Sequence, residues 1–260
     1  MSGFDWNDVL RLPEQALAGD RRVPKTVIAS QAGLTKTEQR ALDRVSRISH
    51  VATVQKSSTR IPPTIDGEHD IQSIVFLRCE LARGAAYSEA AHLLHKCFPN
   101  PTVILFGGDA EVYISASITR RSLAEQGAIV IDSIESTGAF DPDEAAMAPF
   151  LDSLAFERLP QRDLLAYLRG ITWNIRLSRA VPSLGFFPSC GERDRERLEA
   201  LIVRGDALSF KVEEVRQLRR NRDLTLNESA KLRMELRAME KELSEVTSRI
   251  IDLCRTKGAQ

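Results

Sequence analysis

Three carboxylates close to a predicted strand are the first residues whose types suggest chemistry. Glu68 and Asp70 precede an apolar run, and Glu80 lies near its end. Metal-dependent nucleases place an acid on one strand and an acid, a spacer and a lysine on the next, which positions the metal ion and its water. Here Glu80 is followed by Leu-Ala-Arg at 81–83, so the lysine is missing. The pattern favours at most a degenerate metal-dependent nuclease.

A second group, His92, His95 and Cys97, contains the imidazole and thiolate ligands that first-row metal ions prefer. On one helix, however, positions i and i+3 share a side whereas position i+5 points away, and no second ligand cluster lies near in sequence. Gly107-Gly108 is too short for a phosphate-cradling loop, and no serine or histidine has the surroundings that nucleophilic catalysis requires. We therefore expect no metal site, no cofactor and no catalytic residues.

Arginines near a predicted turn suggest contact with phosphate. Guanidinium groups bind phosphate oxygens bidentately, and an exposed cluster of them gives a strong, salt-dependent attraction to nucleic acid. The alternative is a solvated helix end, since cations also stabilise a helix C-terminus. The predicted nucleic-acid-binding residues are Arg216, Arg219, Arg220 and Arg222.

The last quarter of the chain carries the strongest periodic pattern, in which apolar residues alternate at spacings of 4 and 3. Such a spacing is typical of the a/d seam of a coiled coil. The seam residues, which we predict to bind a partner, are Leu232, Leu236, Met239, Leu243, Val246, Ile250 and Leu253.

A seam of this kind needs a second helix. It packs either against an arm of the same subunit or against a second protein or another copy of the chain. A shorter arm at 208–218 offers only four apolar positions. We therefore expect the part of the last helix at 243–253 to remain uncovered and to be available to another surface.

The elements that precede the seam predict an α/β region. Thr35 and Glu38 form a capping box for a helix over 35–46. The apolar run at 71–81 is nearly continuous, as in a buried central strand. The other predicted elements are a strand around 48–54, a helix at 87–98, a β-hairpin from 103–106 and 112–118, and a strand at 128–134. This order predicts a small mixed-sheet α/β sandwich with helices largely on one face.

From residue 143 the periodicity becomes helical. Two helices separated by Pro160 are expected, the second of them closed by Pro182. Ser189 and Glu192 have the spacing of another capping box, which predicts a helix that reaches Gly205. The stripes at 208–218 and 227–253 predict an antiparallel hairpin turning at 219–225. A single continuous helix is the alternative, because that turn contains neither glycine nor proline.

The fold class expected is thus α+β, in three parts. An α/β domain occupies 1–142, a helical extension 143–188, and a C-terminal α-helical coiled-coil hairpin 189–260.

Composition and charge restrict the partners and the cellular compartment that can be expected for this protein. The chain has 36 basic and 36 acidic residues, so its overall charge gives no reason to expect a nucleic-acid or membrane partner. No apolar run reaches the length of a membrane span, and the N-terminus does not read as a secretion signal. The four cysteines are scattered, which favours free thiols in a reducing compartment. We expect a soluble, cytoplasmic protein without a membrane partner.

Several segments resemble a bacterial and archaeal family known as domain of unknown function 4391. The resemblance extends over nearly the full length and is strongest in the charged closing hairpin. It is carried by Leu12-Pro13, Val23-Pro24-Lys25, the helix and strands of 35–81, and the segments 215–218, 226–227 and 232–236.

The resemblance implies a setting but no mechanism. Members of the family are commonly encoded beside a Swi2/Snf2-type helicase and a DNA methyltransferase, in clusters that resemble type III restriction or phage-defence systems. The family supplies no catalytic residues that could be carried over to this chain.

The residue patterns together with the setting that the resemblance implies suggest three functions. The first is a non-catalytic accessory subunit of a bacterial antiviral-defence or restriction-modification-like complex, which docks to the helicase or methyltransferase through its coiled coil or forms a homo-oligomer. The second is a module that binds the DNA backbone through the arginine-rich end of the hairpin. The third is the degenerate nuclease.

Overall fold

The computed structural model describes residues 4–98, 100–107, 110–125, 127–220 and 225–255. The chain divides into two compact units, residues 1–176 and residues 177–260. The first unit holds the sheet and the second is helical. The segment predicted as a helical extension, 143–188, is divided between the two.

Within the described residues the helices are α1 (Trp6–Leu10), α2 (Lys25–Ala32), α3 (Lys36–Asp43), α4 (Lys56–Thr59), α5 (Tyr87–Cys97), α6 (Ala148–Ser153), α7 (Leu164–Ser178), α8 (Val181–Leu184), α9 (Arg195–Leu218) and α10 (Leu226–Arg255). The strands are β1 (Leu17–Arg22), β2 (Val45–Gln55), β3 (Thr64–Ile65), β4 (Asp70–Ile71), β5 (Ser73–Leu81), β6 (Thr102–Gly107), β7 (Val112–Arg121) and β8 (Ile129–Ser136).

Six of the strands form one mixed sheet in the order β1-β2-β5-β6-β7-β8. Strands β5 and β6 are parallel, because α5 connects them as a crossover, and the other neighbouring pairs are antiparallel. Strands β3 and β4 form a separate two-stranded sheet. The fold is therefore mixed α/β with C-terminal helices, as the sequence predicts.

Helices cover both faces of the sheet, so the expectation that they lie largely on one face was wrong. Leu77 and Cys79 of β5 share a buried cluster with α3 and α5. Since side chains alternate along a strand, Arg78 points to the opposite face. There its Nη2 atom donates a hydrogen bond to the carboxylate of Asp5, the N-cap residue of α1, at 3.1 Å. Helix α1 therefore lies on the second face.

Contacts of strand β8 show that α7 also lies on the second face of the sheet. Ser136 lies 2.8 Å from Ser115, the residue that contacts His95 of α5. The adjacent residue Glu135 accepts a hydrogen bond from Nε of Arg176 in α7 at 3.1 Å. Adjacent strand residues point to opposite faces, so α5 and α7 lie on opposite sides of the sheet.

Strand β1 contains an irregularity at the edge of the sheet. Leu17 pairs with Ala52 and Arg21 with His50, so residues 18–20 stand opposite a single residue of β2. Gly19 and Asp20 take left-handed conformations, with φ of 67° and 52°. This bulge places the Asp20 carboxylate 3.0 Å from Nη1 of Arg78.

In the second unit, α9 and α10 pack against each other and run antiparallel. Val212 and Val215, late in α9, share a buried cluster with Leu236, early in α10. Gly205, earlier in α9, lies against Val246, later in α10. A single continuous helix would not allow these contacts. The arrangement is compatible with the predicted coiled-coil hairpin, although residues 221–224 of its turn lie outside the described residues.

Two boundaries of the helical region differ from those expected. Helix α7 ends at Ser178, and Pro182 lies in the first turn of α8 instead of closing the preceding helix. Proline is well tolerated there, because the first residues of a helix have no intrahelical acceptor for an N–H group. Helix α9 continues through Gly205 to Leu218, where the sequence suggests two shorter segments.

Candidate functional site

The predicted partner-binding seam lies on the side of α10 that packs against α9. Leu232 and Met239 are half-buried and pack on the cluster of Val212, Val215 and Leu236. Leu243 is half-buried and lines a groove with Val212. The remaining seam residues, Val246, Ile250 and Leu253, are buried.

The expectation that 243–253 remains uncovered was therefore wrong. The reason is that α9, the helix that packs against α10, is longer than the sequence suggests. Helix α9 has 24 residues, so it begins well before the arm at 208–218. Leu198 and Ile202 add buried apolar side chains to that earlier part. Glycine disfavours a helix interior by only about 1 kcal/mol, which the packing of a long helix easily offsets. Gly205 consequently does not end the helix.

In the two helices α9 and α10, the large apolar side chains that face solvent lie outside the seam. Phe210 and Met234 are 73% and 74% exposed, and Val203 and Leu218 are about half exposed. These four residues, Val203, Phe210, Leu218 and Met234, are called the outer apolar residues below. They do not follow the alternating spacing of 4 and 3, so the periodicity that reveals the seam does not reveal them. These residues could be recognised in the sequence only as large apolar residues on the face of the helix that its periodicity predicts to be exposed to solvent.

The four arginines predicted to contact nucleic acid are not equivalent. Arg216 bonds to Glu240 of α10 at 2.9 Å and lies 3.9 Å from Glu213, so it bridges the two helices. Arg219 and Arg220 are exposed at the end of α9, and neither forms an ion pair with a carboxylate of the described residues. Arg222 lies outside the described residues. Within the described part of the chain, no carboxylate therefore competes with an external anion for Arg219 and Arg220.

The carboxylates of the nuclease hypothesis do not form one site. Asp70 lies in β4, before β5 begins, and accepts a hydrogen bond from Arg121 at 3.3 Å. Glu80 lies near the other end of β5. Asp70 and Glu80 are ten positions apart, which at about 3.3 Å per residue corresponds to about 30 Å of extended chain. A single metal ion cannot bind both.

His95 lies in a buried polar network between α5 and the sheet. Its Nε2 atom is 2.8 Å from Oγ of Ser115, which is fully buried. Burial lowers the pKa of His95 to about 3, with a smaller contribution from the charge of His92, so the imidazole is neutral. A serine without solvent access cannot receive a substrate. The pair therefore stabilises the layer between helix and sheet.

The described residues contain neither a metal-binding cluster nor a membrane-spanning helix. No group of three or more His, Cys, Asp or Glu side chains there is arranged to hold a metal ion. No helix in that part of the chain combines the length and hydropathy needed to cross a membrane.

Comparison with known proteins assigns the chain to a family but identifies no individual relative. No curated protein and no solved structure matches the chain significantly. A family model, described as Domain of unknown function (DUF4391), matches residues 10–243. This range includes every strand of the sheet and continues into α10. The chain therefore belongs to the DUF4391 family.

Proposed function

We propose that this protein is a non-catalytic accessory subunit of a bacterial antiviral-defence or restriction-modification-like complex. It docks to a helicase or DNA methyltransferase of the same gene cluster through the outer surface of its α9/α10 hairpin. The helicase and methyltransferase are suggested by the genetic setting of the family that the sequence resembles. Such a complex acts on DNA inside the cell, so we place the protein in the cytoplasm.

The observation that carries the proposal is the exposure of the outer apolar residues. Leaving side chains such as Phe210 and Met234 in water is unfavourable, and binding that removes them from water gains about 25 cal/mol per Å² of apolar area. Aromatic residues and methionine are also enriched at the centres of protein interfaces. The buried seam holds the hairpin together, and the exposed apolar side chains of each helix offer a contact: Val203, Phe210 and Leu218 on α9, and Met234 on α10.

Co-expression followed by light-scattering mass measurement tests this proposal. The protein is purified with the neighbouring helicase and with the neighbouring methyltransferase, as wild type and as Phe210→Ser/Met234→Ser. We expect wild type to form a complex and the double variant to remain folded but unbound. The control is Leu123→Ser, since Leu123 is 93% exposed but lies in the first unit.

Two results would contradict the proposal. One is a wild-type protein that binds neither neighbour, and the other is a complex that the Phe210→Ser/Met234→Ser variant forms equally well. A mass of twice the monomer for wild type alone, lost in the double variant, would assign the surface to a homo-oligomer instead.

A second candidate function is binding to the DNA backbone, and the exposure of Arg219 and Arg220 at the end of α9 favours it. Each phosphate contact adds about 0.9 to the slope of log affinity against log salt. Arg219→Gln/Arg220→Gln should therefore reduce this slope for duplex DNA by about two. Lys211→Gln/Arg249→Gln removes the same charge elsewhere on the hairpin and should leave the slope unchanged. Equal slopes in all three proteins would exclude the end of α9 as the contact.

The degenerate nuclease receives no support, because Asp70 and Glu80 are too far apart to share a metal ion.

A further inference from the structure

A cleft of about 400 Å³ lies where β1 leads into α2, beside the first residues of β2. Its polar lining consists of Arg22, Lys25, Thr26, Ser46 and Arg47, and its other lining residues are apolar. All of the lining residues are described, and none is a carboxylate. Three cationic side chains therefore meet a concave surface that has no acidic group of its own.

Lys25 has a structural role in this cleft. Its Nζ atom donates hydrogen bonds to the carbonyl oxygens of Val45 at 2.8 Å and of Leu42 and Asp43 at 3.4 Å. An ammonium group has three donors, so none remains for a ligand. The lysine fixes the end of α3 against the start of β2, and the two arginines are the groups that could contact a ligand.

Arg22 and Arg47 are both neighbours of Ser49. Arg22 is opposite Ser49 in the ladder between β1 and β2, and Nε of Arg47 donates to Oγ of Ser49 at 3.1 Å. This bond leaves both terminal nitrogens of Arg47 available. The register of the strands thus places both arginines beside the same serine, and both line the cleft.

Arg78, a neighbouring arginine of the same sheet, has its charge neutralised by carboxylates. Arg78 is opposite Ser49 on β5, and Asp5 and Asp20 form ion pairs with it at 3.1 and 3.0 Å. By contrast, no described carboxylate lies within 4 Å of the guanidinium group of Arg22 or Arg47. Glu80 is the residue opposite Arg47 on β5, yet it neither pairs with Arg47 nor lines the cleft. An anion between the two arginines would relieve their mutual repulsion.

We propose that this cleft is a phosphate-binding site, in which Arg22 and Arg47 bind the phosphate oxygens and Thr26 and Ser46 donate hydroxyl hydrogen bonds. Arginine is suited to this ligand because its planar donor pair matches the spacing of phosphate oxygens. The phosphate belongs either to a nucleic-acid backbone or to a small phosphorylated molecule. The site lies in the first unit and its variants leave the hairpin untouched, so it is tested independently of the docking surface.

Binding measurements on the full chain test the site with two probes, a fluorescein-labelled 20-base-pair DNA duplex and inorganic pyrophosphate. The cleft variant is Arg22→Gln/Arg47→Gln. The matched control is Arg40→Gln/Arg44→Gln, which removes the same charge from exposed positions at α3 that do not line the cleft. Circular dichroism establishes that both variants are folded.

If the ligand is a nucleic acid, the cleft variant binds the duplex at least about tenfold more weakly and its salt slope falls by about two, whereas the control is unchanged. If the ligand is small, pyrophosphate binds saturably at one site and shifts the amide NMR signals of Thr26 and Ser46. In that case the cleft variant no longer binds pyrophosphate. Wild type, cleft variant and control then bind the duplex with equal affinity. Equal binding of both probes by wild type, cleft variant and control would overturn the proposal.

Discussion

A methyl group added to Gly205 would stand 3.7 Å from Cγ1 of Val246, which is an ordinary van der Waals distance. Gly205 lies in the interior of α9, where a glycine is less favourable than an alanine by about 0.5–1 kcal/mol. Gly205→Ala should therefore raise the free energy of unfolding by about 1 kcal/mol, because helix propensity improves and no atom is displaced. Urea denaturation measures the change, and a lower stability would mean that α9 and α10 are packed too closely for the added group.

Gly170 of α7 gives the opposite prediction for the same substitution. A Cβ at this position would stand 2.7 Å from Cδ of Pro160 and 3.1 Å from Cδ2 of Leu159. The proline ring is rigid, so the backbone has to shift. Gly170→Ala should lower the free energy of unfolding by about 1–3 kcal/mol. The same urea experiment measures it, and Gly205→Ala serves as the control for a helical glycine that has room.

Ile250 and Phe210 separate the buried seam from the outer surface of the hairpin. Ile250 is 4% exposed, whereas Phe210 is 73% exposed. Ile250→Ala should lower the free energy of unfolding by about 2–5 kcal/mol, since it leaves a cavity at a buried position. Phe210→Ala should change it by less than about 0.5 kcal/mol. Equal losses in the two variants would show that the exposed ring also supports the fold.

His95 makes the stability of the protein depend on pH. Burial lowers the pKa of His95 to about 3, against 6.5 for an ordinary histidine. Between these values the unfolded chain binds a proton that the folded chain does not, so stability falls as the pH falls below 6.5. Above that pH the histidine is neutral in both states and contributes no dependence.

Comparison with His95→Gln isolates this effect, since every other titrating group is shared. Wild type should lose about 1 kcal/mol more than the variant between pH 6.5 and pH 5.5. Chemical denaturation at pH 7.5, 6.5 and 5.5 supplies the values. Parallel losses in the two proteins would mean that the imidazole is protonated in the folded state.

Much of the sheet was predictable, because its signals are local. The Thr35–Glu38 capping box has both of its reciprocal hydrogen bonds, and α3 follows it. The buried run at 71–81 contains β5, and the expected β-hairpin is the antiparallel pair β6 and β7. In each case a capping residue or an apolar period acts within a few residues, so tertiary context does not change the outcome.

The elements that sequence patterns missed depend on distant partners. Strand β1 has the sequence Leu-Ala-Gly-Asp-Arg-Arg, which has neither β-branched residues nor alternation, and it forms because β2 supplies a ladder. The continuity of α9 likewise depends on its contact with α10. The phosphate-binding cleft joins residues 22–26 and 46–48 through strand register, which no spacing along the chain indicates.

The bulge at Gly19 and Asp20 also determines what β1 cannot do. An edge strand has a row of unpaired N–H and C=O groups, onto which the strand of another molecule can add. In β1 two consecutive left-handed residues interrupt that row, and the Asp20 carboxylate turns inward to Arg78. An incoming strand would find neither a continuous ladder nor a flat edge. The protein therefore has a built-in barrier to aggregation on this side of its sheet.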